Sequence, residues 1–438
     1  MSRARSASPT WTNWAGNQVA RPVAIEHPAS EDDLVRIVKE AAAAGQRVKV
    51  VGSGHSFTDI ACTDGRLVVL DRYTEVLNVD TAQYRVTVQA GLTLSALNDE
   101  LDRRGLAMAN LGDIAYQTVA GATSTATHGT GVLLTGLAAQ IVAMRLVVAD
   151  GSVIECDAEH EAEVFHCARV GLGALGIVST VALQVMPAFN LRVVNEPVRV
   201  DTVVEELDAR VEGNDHFEFF WVPHTGWALT KSNNRTTDAL QPKARFKAWF
   251  DGIVVENHAF NAVCRVGKMH PAWIPKLAKA LPSQGRVTHV DKSYRVFASP
   301  RLVKFYEMEY SIPRVACGEA LTRVRNLVKE RGFLLNFPVE VRFSAADDIP
   351  LSTGYGEQRA YIAVHVFRGM EHRPYFAGVE EIMNSYGGRP HWGKLHFQSA
   401  VTLRDRYPEW DRFQAVRHRL DPEGRFANAY TDRVLGPA

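Results

Sequence analysis

A run rich in glycine, serine and histidine follows a short apolar segment near the beginning of the chain. Val48–Val51 is typical of a β-strand. The run after it consists of Gly52, Ser53, Gly54, His55, Ser56 and Phe57. Its glycines let the backbone approach a ligand closely, and consecutive N–H groups in such a turn form a concave site for a pyrophosphate. His55 would then touch the rest of that ligand, although a strand-to-helix turn with an incidental surface histidine explains these residues equally well.

A second segment, residues 110–131, consists mainly of small and hydroxyl-bearing residues with little bulk after Val119. Because a packed core needs bulky side chains, we predict that this segment wraps around a ligand. Hydroxyls and free N–H groups suit the oxygens of such a ligand. A flexible linker fits less well, since Gly121 and Gly129 lie within a run of β-formers. His128 alone is more typical of a hydrogen-bonded structural residue.

A carboxylate and a guanidinium, those of Glu340 and Arg342, are two residues apart and therefore lie on one face of a predicted strand. Val339, Val341 and Phe343 make the opposite face apolar. The charged face must therefore look into a cleft or into solvent. A surface ion pair is the more common meaning of such a spacing.

An imidazole, an indole and an amine occur within residues 391–394, which include His391 and Lys394. His391 and His396 are five residues apart without a nearby carboxylate, so no metal-ligand spacing is evident.

Residues 171–176 match the dinucleotide pattern G-x-G-x-x-G. That pattern requires a preceding strand and a following helix, whereas here the predicted order is helix and then strand. We therefore reject a Rossmann site.

Periodicity and capping residues predict the elements that position these groups. Helices are predicted after the caps Ser30 and Thr93. In the first part, strands are predicted at 48–51, 66–70, 85–90, 140–149, 152–156 and 178–185. From about residue 188, strands at 192–195, 217–222, 305–311, 339–344 and 361–367 accompany a helix at 318–331, and 235–300 receive no assignment. The pattern predicts an α+β fold with an antiparallel sheet covered by helices on one face.

Composition limits the function classes. The 438 residues exceed one ordinary core, so two domains are expected. Lys+Arg and Asp+Glu number 49 each, which gives no general attraction for nucleic acid. Five cysteines without a CxxC pair suit reduced thiols in a cytosol. Without a signal-peptide pattern or an apolar run of ~20 residues, we expect a cytoplasmic protein with no integral membrane span, and peripheral membrane association is compatible.

Residues 51–57 resemble the flavin-attachment loop of FAD-linked oxidases of the vanillyl-alcohol-oxidase type, in particular the sugar-1,4-lactone oxidase and alditol oxidase branch. In that branch the histidine at this place carries FAD covalently, a role that falls here on His55. The similarity extends from residues 14–16 to residues 407–410. It implies a PCMH-type FAD-binding domain at 12–187, a substrate (cap) domain at 188–390 and a C-terminal segment, 391–438, that returns to the flavin site.

The second segment resembles the flavin-contact segment of the same family. Residue by residue, the match falls on Asp113, Thr118, Gly121, Thr125, Ala126, Thr127 and His128. Asp113 departs from the alditol oxidases, which have serine there. Ile177, after the glycine-rich turn, matches a residue whose backbone meets the adenine.

Glu340-x-Arg342 and the segment 391–394 match the alditol and aldonolactone oxidase pattern. The resemblance implies that Glu340, Arg342 and Lys394 line the substrate site and that His391 approaches the flavin. The implied reaction is hydride transfer to flavin N5. Lys394 would place positive charge near the flavin N1–C2 oxygen end or the developing alkoxide, and Arg342 would orient sugar hydroxyls. Glu340 and His391 are both candidates for the proton acceptor.

The resemblance implies oxidation of an aldono-1,4-lactone, of the L-gulono or D-arabinono kind, at the hydroxyl beside the carbonyl. Alternatives are an alditol oxidase acting on a polyol and a non-catalytic flavin-storage or sensing protein. Phe367 favours the lactone, because alditol oxidases carry threonine two residues past the histidine that aligns with His365. The presence of Glu340, Arg342 and Lys394 disfavours storage.

The prediction of the electron acceptor depends on Gly112. Plant lactone dehydrogenases resemble this segment but carry alanine at this position. A Cβ there can obstruct dioxygen, so glycine favours an oxidase that produces hydrogen peroxide. A turn at residues 110–113 would also explain the glycine. A dehydrogenase with another acceptor is the alternative.

Overall fold

The computed structural model of the chain describes residues 9–242, 258–280, 285–298 and 302–437. The α-helices in these ranges are α1 (Glu31–Ala43), α2 (Leu94–Arg103), α3 (Val119–Ser124), α4 (Ala162–Ala168), α5 (Val200–Glu205), α6 (Leu207–Glu212), α7 (Phe260–Met269), α8 (Ile274–Ala280), α9 (Ser293–Phe297), α10 (Cys317–Glu330), α11 (Arg373–Asn384), α12 (Ala400–Leu403), α13 (Trp410–Leu420) and α14 (Ala429–Leu435).

The strands in the same ranges are β1 (Trp11–Thr12), β2 (Val19–Ala20), β3 (Ala24–Glu26), β4 (Val48–Val51), β5 (Arg66–Val69), β6 (Val76–Asp80), β7 (Arg85–Gln89), β8 (Leu106–Ala107), β9 (Ile141–Val147), β10 (Val153–Asp157), β11 (Ile177–Gln184), β12 (Met186–Pro187), β13 (Asn190–Arg199), β14 (His216–Trp221), β15 (Trp227–Thr236), β16 (Val287–Lys292), β17 (Phe305–Pro313), β18 (Val339–Ser344), β19 (Arg359–Phe367) and β20 (Arg389–Pro390).

The first unit combines a parallel sheet, β3-β5-β4, with an antiparallel sheet, β10-β9-β11-β7-β6. Helix α1 connects β3 to β4. It begins after Ser30, whose hydroxyl oxygen accepts a hydrogen bond from the Asp33 N–H at 3.1 Å. Leu34, Ile37 and Val38 on its apolar stripe are buried in the core of this unit. Strand β4 therefore ends at a fixed point, from which the glycine-rich run begins.

The second unit is an eight-stranded antiparallel sheet in the order β16-β13-β15-β14-β18-β19-β17-β20. Alternate residues on its central strands face a core covered by α5, α6, α10 and α11, and these include Phe217, Phe219, Met308, Val339 and Val341. The opposite face carries charged residues. Helices α7 and α8 lie on that charged side, across a large cavity.

The first core contains residues from the end of the chain as well as from its beginning. Trp392, Phe413 and Tyr430 are buried with the strands and helices of the first unit. The Val48 N–H donates to the Arg425 carbonyl at 2.8 Å, which attaches the C-terminal segment to β4. The segment after residue 390 therefore completes the unit that begins the chain.

The α+β class with an antiparallel sheet is confirmed. Strands 48–51 and 339–344 coincide with β4 and β18. Residues 171–176 follow α4 and precede β11, the reverse of a dinucleotide-binding turn, so the rejection of a Rossmann site is also confirmed. All five cysteines are free thiols. Among the described helices, none has the length and apolarity that crossing a membrane would require.

The second hydroxyl-rich segment differs from its prediction. Residues 119–124 form helix α3 rather than extended β-type structure, and Val119, Ala120 and Ala122 belong to the first core. The expectation that this segment does not contribute to a core was wrong. Small side chains allow the helix to approach its neighbours closely: the Val119 and Ala120 N–H groups donate to the carbonyls of Leu92 and Ala90 at 2.8 and 3.2 Å.

Candidate active site

The glycine-rich run forms a concave loop directly after β4. A Cβ on Gly52 would lie 2.1 Å from the Thr118 hydroxyl oxygen, so only glycine fits there. Gly54 has a φ of +67°. The backbone N–H groups of residues 53–56 donate to no other described residue. Consecutive unpaired N–H groups in a glycine turn form a site for an anion such as a phosphate.

The loop is fixed from three directions. The Phe57 N–H donates to the Gly393 carbonyl at 2.7 Å, which joins the loop to the C-terminal segment. The Asn13 side-chain amide donates to the Ser56 carbonyl at 2.9 Å, and the Ser53 hydroxyl donates to the Tyr116 carbonyl at 2.5 Å. The loop is therefore held in place before any ligand binds.

His55 projects from this loop as a neutral ring. It stacks on Trp14 with ring centroids 5.3 Å apart, and neither ring nitrogen bonds a described residue. Burial, together with the charge of Lys394, lowers the pKa of His55 to about 4. At neutral pH the ring therefore has a nitrogen with a free lone pair, which is the state required of a nucleophile.

The hydroxyls predicted to meet a ligand in the second segment are also bonded locally. Thr118 caps α3 by accepting from the Gly121 N–H at 3.2 Å, and the Thr125 hydroxyl donates to the Gly121 carbonyl at 3.0 Å. Thr127 accepts from a glutamine amide at 3.2 Å. Ala126 adopts a φ of +61°, and the fully buried Ile177 begins β11.

A cavity of about 1440 Å³ lies over the charged face of the large sheet. Of the predicted site residues, it brings together Asp113, Thr127, His128, Glu340, Arg342, His391 and Lys394. The remaining ones, Gly52, Ser53, Gly54, His55, Ser56, Phe57, Thr118, Gly121, Thr125, Ala126 and Ile177, do not line it. They lie in the adjoining loop, in or directly beside α3, and at the start of β11. The Lys394 amine, which is 5.3 Å from the centroid of the Phe57 ring, connects the two groups.

Arg342 lies at the centre of a cluster of carboxylates. Its guanidinium makes ion pairs with Asp113 and Glu340, and its Nε donates to Glu218 at 2.9 Å. Glu218 also pairs with Lys231, which is directly opposite on β15, at 2.5 Å. The three carboxylates are close enough to hold a metal ion, but the guanidinium lies among them. Three carboxylates therefore surround one guanidinium in the cavity.

Glu307 holds a second charged group in the cavity. It pairs with Lys394 and lies 3.4 Å from the ring of His365, which is directly opposite on β19. Burial alone would raise the pKa of Glu307, but the charges of Lys394 and His365 outweigh burial and hold the pKa well below its usual range. The carboxylate is therefore ionised and fixes the Lys394 ammonium beside the loop.

Glu309, two residues further along β17, pairs in a similar way with the ring of His128. The two side chains are 3.1 Å apart, and the other ring nitrogen of His128 lies 2.8 Å from the Gly129 carbonyl. The His128 ring stacks on Tyr361 at a centroid distance of 3.6 Å. Burial alone would raise the pKa of Glu309. The charge of His128 and its hydrogen bond to the carboxylate outweigh burial and lower the pKa of Glu309.

His391 is a hydrogen-bond donor toward the cavity. The backbone N–H of His391 donates to the Glu309 carbonyl at 3.0 Å, because β20 pairs with β17. Nδ1 of its ring accepts from the Gly393 N–H at 3.0 Å. Burial lowers the pKa of His391 to about 4. Since the neutral ring has one proton and Nδ1 is an acceptor, that proton is on Nε2.

Sequence reasoning missed Glu218, Lys231, Glu307 and Glu309. A signal was present, since Glu218 lies between Phe217 and Phe219 in an aromatic strand. Glu307 and Glu309 likewise alternate with apolar residues on β17. A carboxylate inside an otherwise apolar strand indicates a polar pocket. The partners of these residues come from distant parts of the chain.

Comparison with known proteins agrees with this geometry. A family model described as "FAD binding domain" matches residues 22–157, and one described as "D-arabinono-1,4-lactone oxidase" matches residues 181–434. The chain is 48% identical over 431 residues to an L-gulono-1,4-lactone dehydrogenase of Mycobacterium tuberculosis, covering 98% of this chain and 100% of the relative. It is 34% identical to the L-gulonolactone oxidase of Bos taurus, with 97% of each covered.

Among solved structures, a solvent-stable cholesterol oxidase superposes with a TM-score of 0.85, covering 98% of both chains at 18% identity. That likeness concerns the fold alone.

Proposed function

The chain belongs to the D-arabinono-1,4-lactone oxidase family of FAD-dependent oxidoreductases, and from this membership we propose that it oxidises an aldono-1,4-lactone of the L-gulono or D-arabinono kind. The reacting hydroxyl is the one beside the lactone carbonyl. The observation that carries this proposal is the convergence of Glu340, Arg342, Lys394 and His391 on one cavity beside the glycine loop. A sugar lactone presents hydroxyls and a carbonyl, which require both acceptors and donors.

The residues present suit FAD. The unpaired N–H groups of residues 53–56 fit its pyrophosphate, and Gly52 leaves the space that a Cβ would fill. The unbonded, neutral ring of His55 suits a covalent link to the flavin, which we propose as in the related oxidases. His128, Thr127 and Asp113 border the cavity, whereas Thr118, Gly121, Thr125, Ala126 and Ile177 would contact the cofactor from the first unit.

When bound, FAD accepts a hydride from the substrate carbon. The side chains of this protein then have to bind the lactone, orient the reacting C–H bond and remove the hydroxyl proton. In His391, Nε2 already has a proton and Nδ1 accepts from the Gly393 N–H, so this ring is not placed to accept that proton. The carboxylates around Arg342 are the groups in the cavity suited to accept it, and Glu340 is our candidate. Because Arg342 is already engaged by three carboxylates, we propose that it orients them in addition to contacting substrate hydroxyls.

Lys394 supplies positive charge next to the glycine loop. Its pairing with Glu307 and its position over Phe57 restrict where the ammonium can lie. Such a fixed charge stabilises negative charge that develops during the reaction without needing to reorganise. We propose this role for Lys394, with Glu307 as its positioning residue.

The proposed electron acceptor is dioxygen, with hydrogen peroxide as the product. Gly112 lines the cavity, so no side chain protrudes there. A dehydrogenase using another acceptor is the second candidate, because the relative at 48% identity carries that name whereas the bovine relative is named an oxidase.

Steady-state turnover on a panel of lactones and polyols tests the proposal. L-gulono- and D-arabinono-1,4-lactone, xylitol and sorbitol would each be assayed in parallel with dioxygen and with a dye acceptor. We expect the lactones to give the higher kcat/KM. Faster turnover of the polyols would establish an alditol oxidase, lactone turnover with the dye alone a dehydrogenase, and flavin binding without any turnover a storage or sensing protein.

A further inference from the structure

A small cavity lies between α2 of the first unit and α9 of the second. Its volume is about 200 Å³, and no residue of the glycine-rich loop or of the Arg342 cluster lines it. Arg295 and Ala298 border both this cavity and the large one, so the small cavity lies at the edge of the active site. Clefts at the interface between two units are common binding sites for small molecules.

Asn98 is a buried polar residue that faces this cavity. Leu94, Leu97 and Leu101 form the apolar stripe of α2, and Asn98 lies on the same stripe with only 4% of its surface exposed. Its side-chain amide reaches the cavity and makes no hydrogen bond with a described residue. Because buried amides normally have partners, Asn98 indicates a ligand in the cavity.

Further polar groups converge on the same space. Ser95, Asn98 and Asp99 are at positions i, i+3 and i+4 of α2 and therefore share one face. Within the described part of the chain, the Asp99 carboxylate makes no ion pair. On the opposite wall, Arg295 Nε donates to the Tyr294 hydroxyl at 3.2 Å. Asp99 and Arg295 are the only charged groups among the described residues that line the cavity, so neither sign of charge prevails.

The floor of the small cavity is connected to the glycine-rich loop. The Ser95 N–H donates to the Ala115 carbonyl at 2.7 Å, and the Tyr116 carbonyl accepts from the Ser53 hydroxyl at 2.5 Å. The Tyr116 residue is 52% exposed, so its ring contributes little to packing within the protein. The ring is therefore available to a ligand, while the backbone of the same residue holds the loop.

We propose that this cavity is a second binding site, for a neutral polyhydroxylated molecule such as a sugar, a polyol or a sugar lactone. The Asn98 amide offers donors and an acceptor, and the Asp99 carboxylate accepts, so the two can bond neighbouring hydroxyls. Arg295 donates to a further oxygen, and the Tyr116 ring packs against the C–H face of the ligand. An anion would meet Asp99 and a cation would meet Arg295. Since none of the proposed reacting residues takes part, the site does not depend on which substrate is oxidised.

Saturation-transfer difference NMR of the FAD-loaded full chain tests the proposal, with xylitol and L-gulono-1,4-lactone as probes. The flavin would be kept reduced and oxygen excluded, so that neither probe is consumed. An Arg342→Ala background weakens binding in the large cavity, so that the signal reports on the small one. We expect binding in this background, and the probe with the stronger signal identifies the ligand as polyol or lactone. Displacement of both probes by inorganic phosphate would overturn the assignment to a neutral ligand.

Asn98→Leu removes the amide and continues the apolar stripe of α2. We expect it to weaken probe binding on the order of 10-fold. The Tm without probe should rise, because a buried amide without a partner has been removed. A lower Tm with unchanged probe binding would make Asn98 a structural residue and overturn the proposal.

Tyr116→Ala tests the aromatic contact and leaves the carbonyl that holds the loop in place. Tyr84, which is 40% exposed in the turn between β6 and β7, provides the matched control Tyr84→Ala. We expect weaker probe binding in Tyr116→Ala only. Failure of both probes to bind the wild type, or equal binding by Tyr116→Ala and Tyr84→Ala, would refute the site as described.

Discussion

The guanidinium of Arg342 makes an ion pair with the carboxylate of Asp113, and so connects the centre of the large sheet to the first unit. Asp113 follows β8 and precedes α3, whereas Arg342 is on β18. Because Glu340 and Glu218 contact the same guanidinium, its removal would leave three carboxylates close together, of which Glu218 also pairs with Lys231. The chemistry of the cavity therefore depends on how charge is shared across the interface between the two units.

For Arg342→Ala we expect kcat/KM to fall by roughly 10²- to 10³-fold, because an oriented charge-assisted contact is lost. We also expect the acid limb of its pH profile to move to higher pH. Removal of the nearby positive charge favours protonation of the carboxylates. The profile would be measured for wild type, Arg342→Ala and Arg342→Lys, which retains the charge and should partly restore the limb. Arg325→Ala, which breaks an ion pair with Asp201 elsewhere, should leave the profile unchanged. An unshifted limb in Arg342→Ala would remove Arg342 from control of the reacting groups.

The flavin linkage is tested with His55→Ala. We expect wild-type protein to remain yellow after acid precipitation, and the variant to release its flavin into the supernatant, because the proposed bond requires the imidazole. The variant should still bind FAD noncovalently, since the backbone N–H groups of residues 53–56 remain. His160→Ala is a control on an exposed histidine. Complete release of flavin from the wild type would refute the covalent link.

Glu307→Gln should separate the positioning role of Glu307 from general stability. The substitution leaves Lys394 and His365 without their carboxylate, and we expect a loss of ~3 kcal/mol in the free energy of unfolding near neutral pH. The folded-state pKa of Glu307 is lowered, so its stabilisation is fully present above the unfolded pKa of 4.5 and disappears as the pH falls below that value. The difference between wild type and variant should therefore shrink in acid.

Urea unfolding at several pH values measures this difference. The control, Glu163→Gln, breaks an exposed ion pair with Arg412 and should cost less than about 1 kcal/mol. A difference for Glu307→Gln that does not change with pH would contradict the assignment of an ionised Glu307.

The electron acceptor is tested by stopped-flow reoxidation of the reduced protein by dioxygen, wild type against Gly112→Ala. We expect fast reoxidation in the wild type and slower reoxidation in the variant. A Cβ at Gly112 would lie 3.1 Å from the His128 carbonyl and 3.3 Å from the Thr127 methyl group, so it would also displace that segment. Gly136→Ala is a matched control, because its Cβ would meet the same two residues at ordinary distances of 3.5 and 3.8 Å.

Slow reoxidation already in the wild type would exclude the oxidase. Equal rates in Gly112→Ala and in the wild type would leave the oxidase intact and remove only the role given to Gly112.

Local patterns predicted the framework of the fold. The Ser30 cap and the spacing of Leu34, Ile37 and Val38 were sufficient for α1. The alternation around Glu340 was sufficient for β18, but it left open whether the charged side faces a cleft or solvent. Helix α3 was missed because Thr118, its capping residue, is followed by small residues that have no strong helical periodicity. Its packing depends on close approach to neighbouring backbone, which has no local signature.

The electrostatic partners in the cavity could not be obtained from the sequence. Glu218 meets Arg342 because β14 pairs with β18, and Glu307 meets His365 because β17 pairs with β19. Strand register determines both contacts, and register depends on the whole sheet. The identity of the candidate substrate-facing residues came from the resemblance to a family, whereas their ionisation and their tautomers required the three-dimensional arrangement.

The contribution of the last residues to the first core has a consequence for biosynthesis. Phe413 and Tyr430 pack with the strands that begin the chain, and the Arg425 carbonyl accepts a hydrogen bond from Val48. The large sheet is complete by residue 390, so it can form before these residues have been synthesised. The glycine loop, which the Gly393 carbonyl holds, can therefore acquire its final shape only after the sheet. We accordingly expect a nascent chain stalled before residue 393 to bind no flavin.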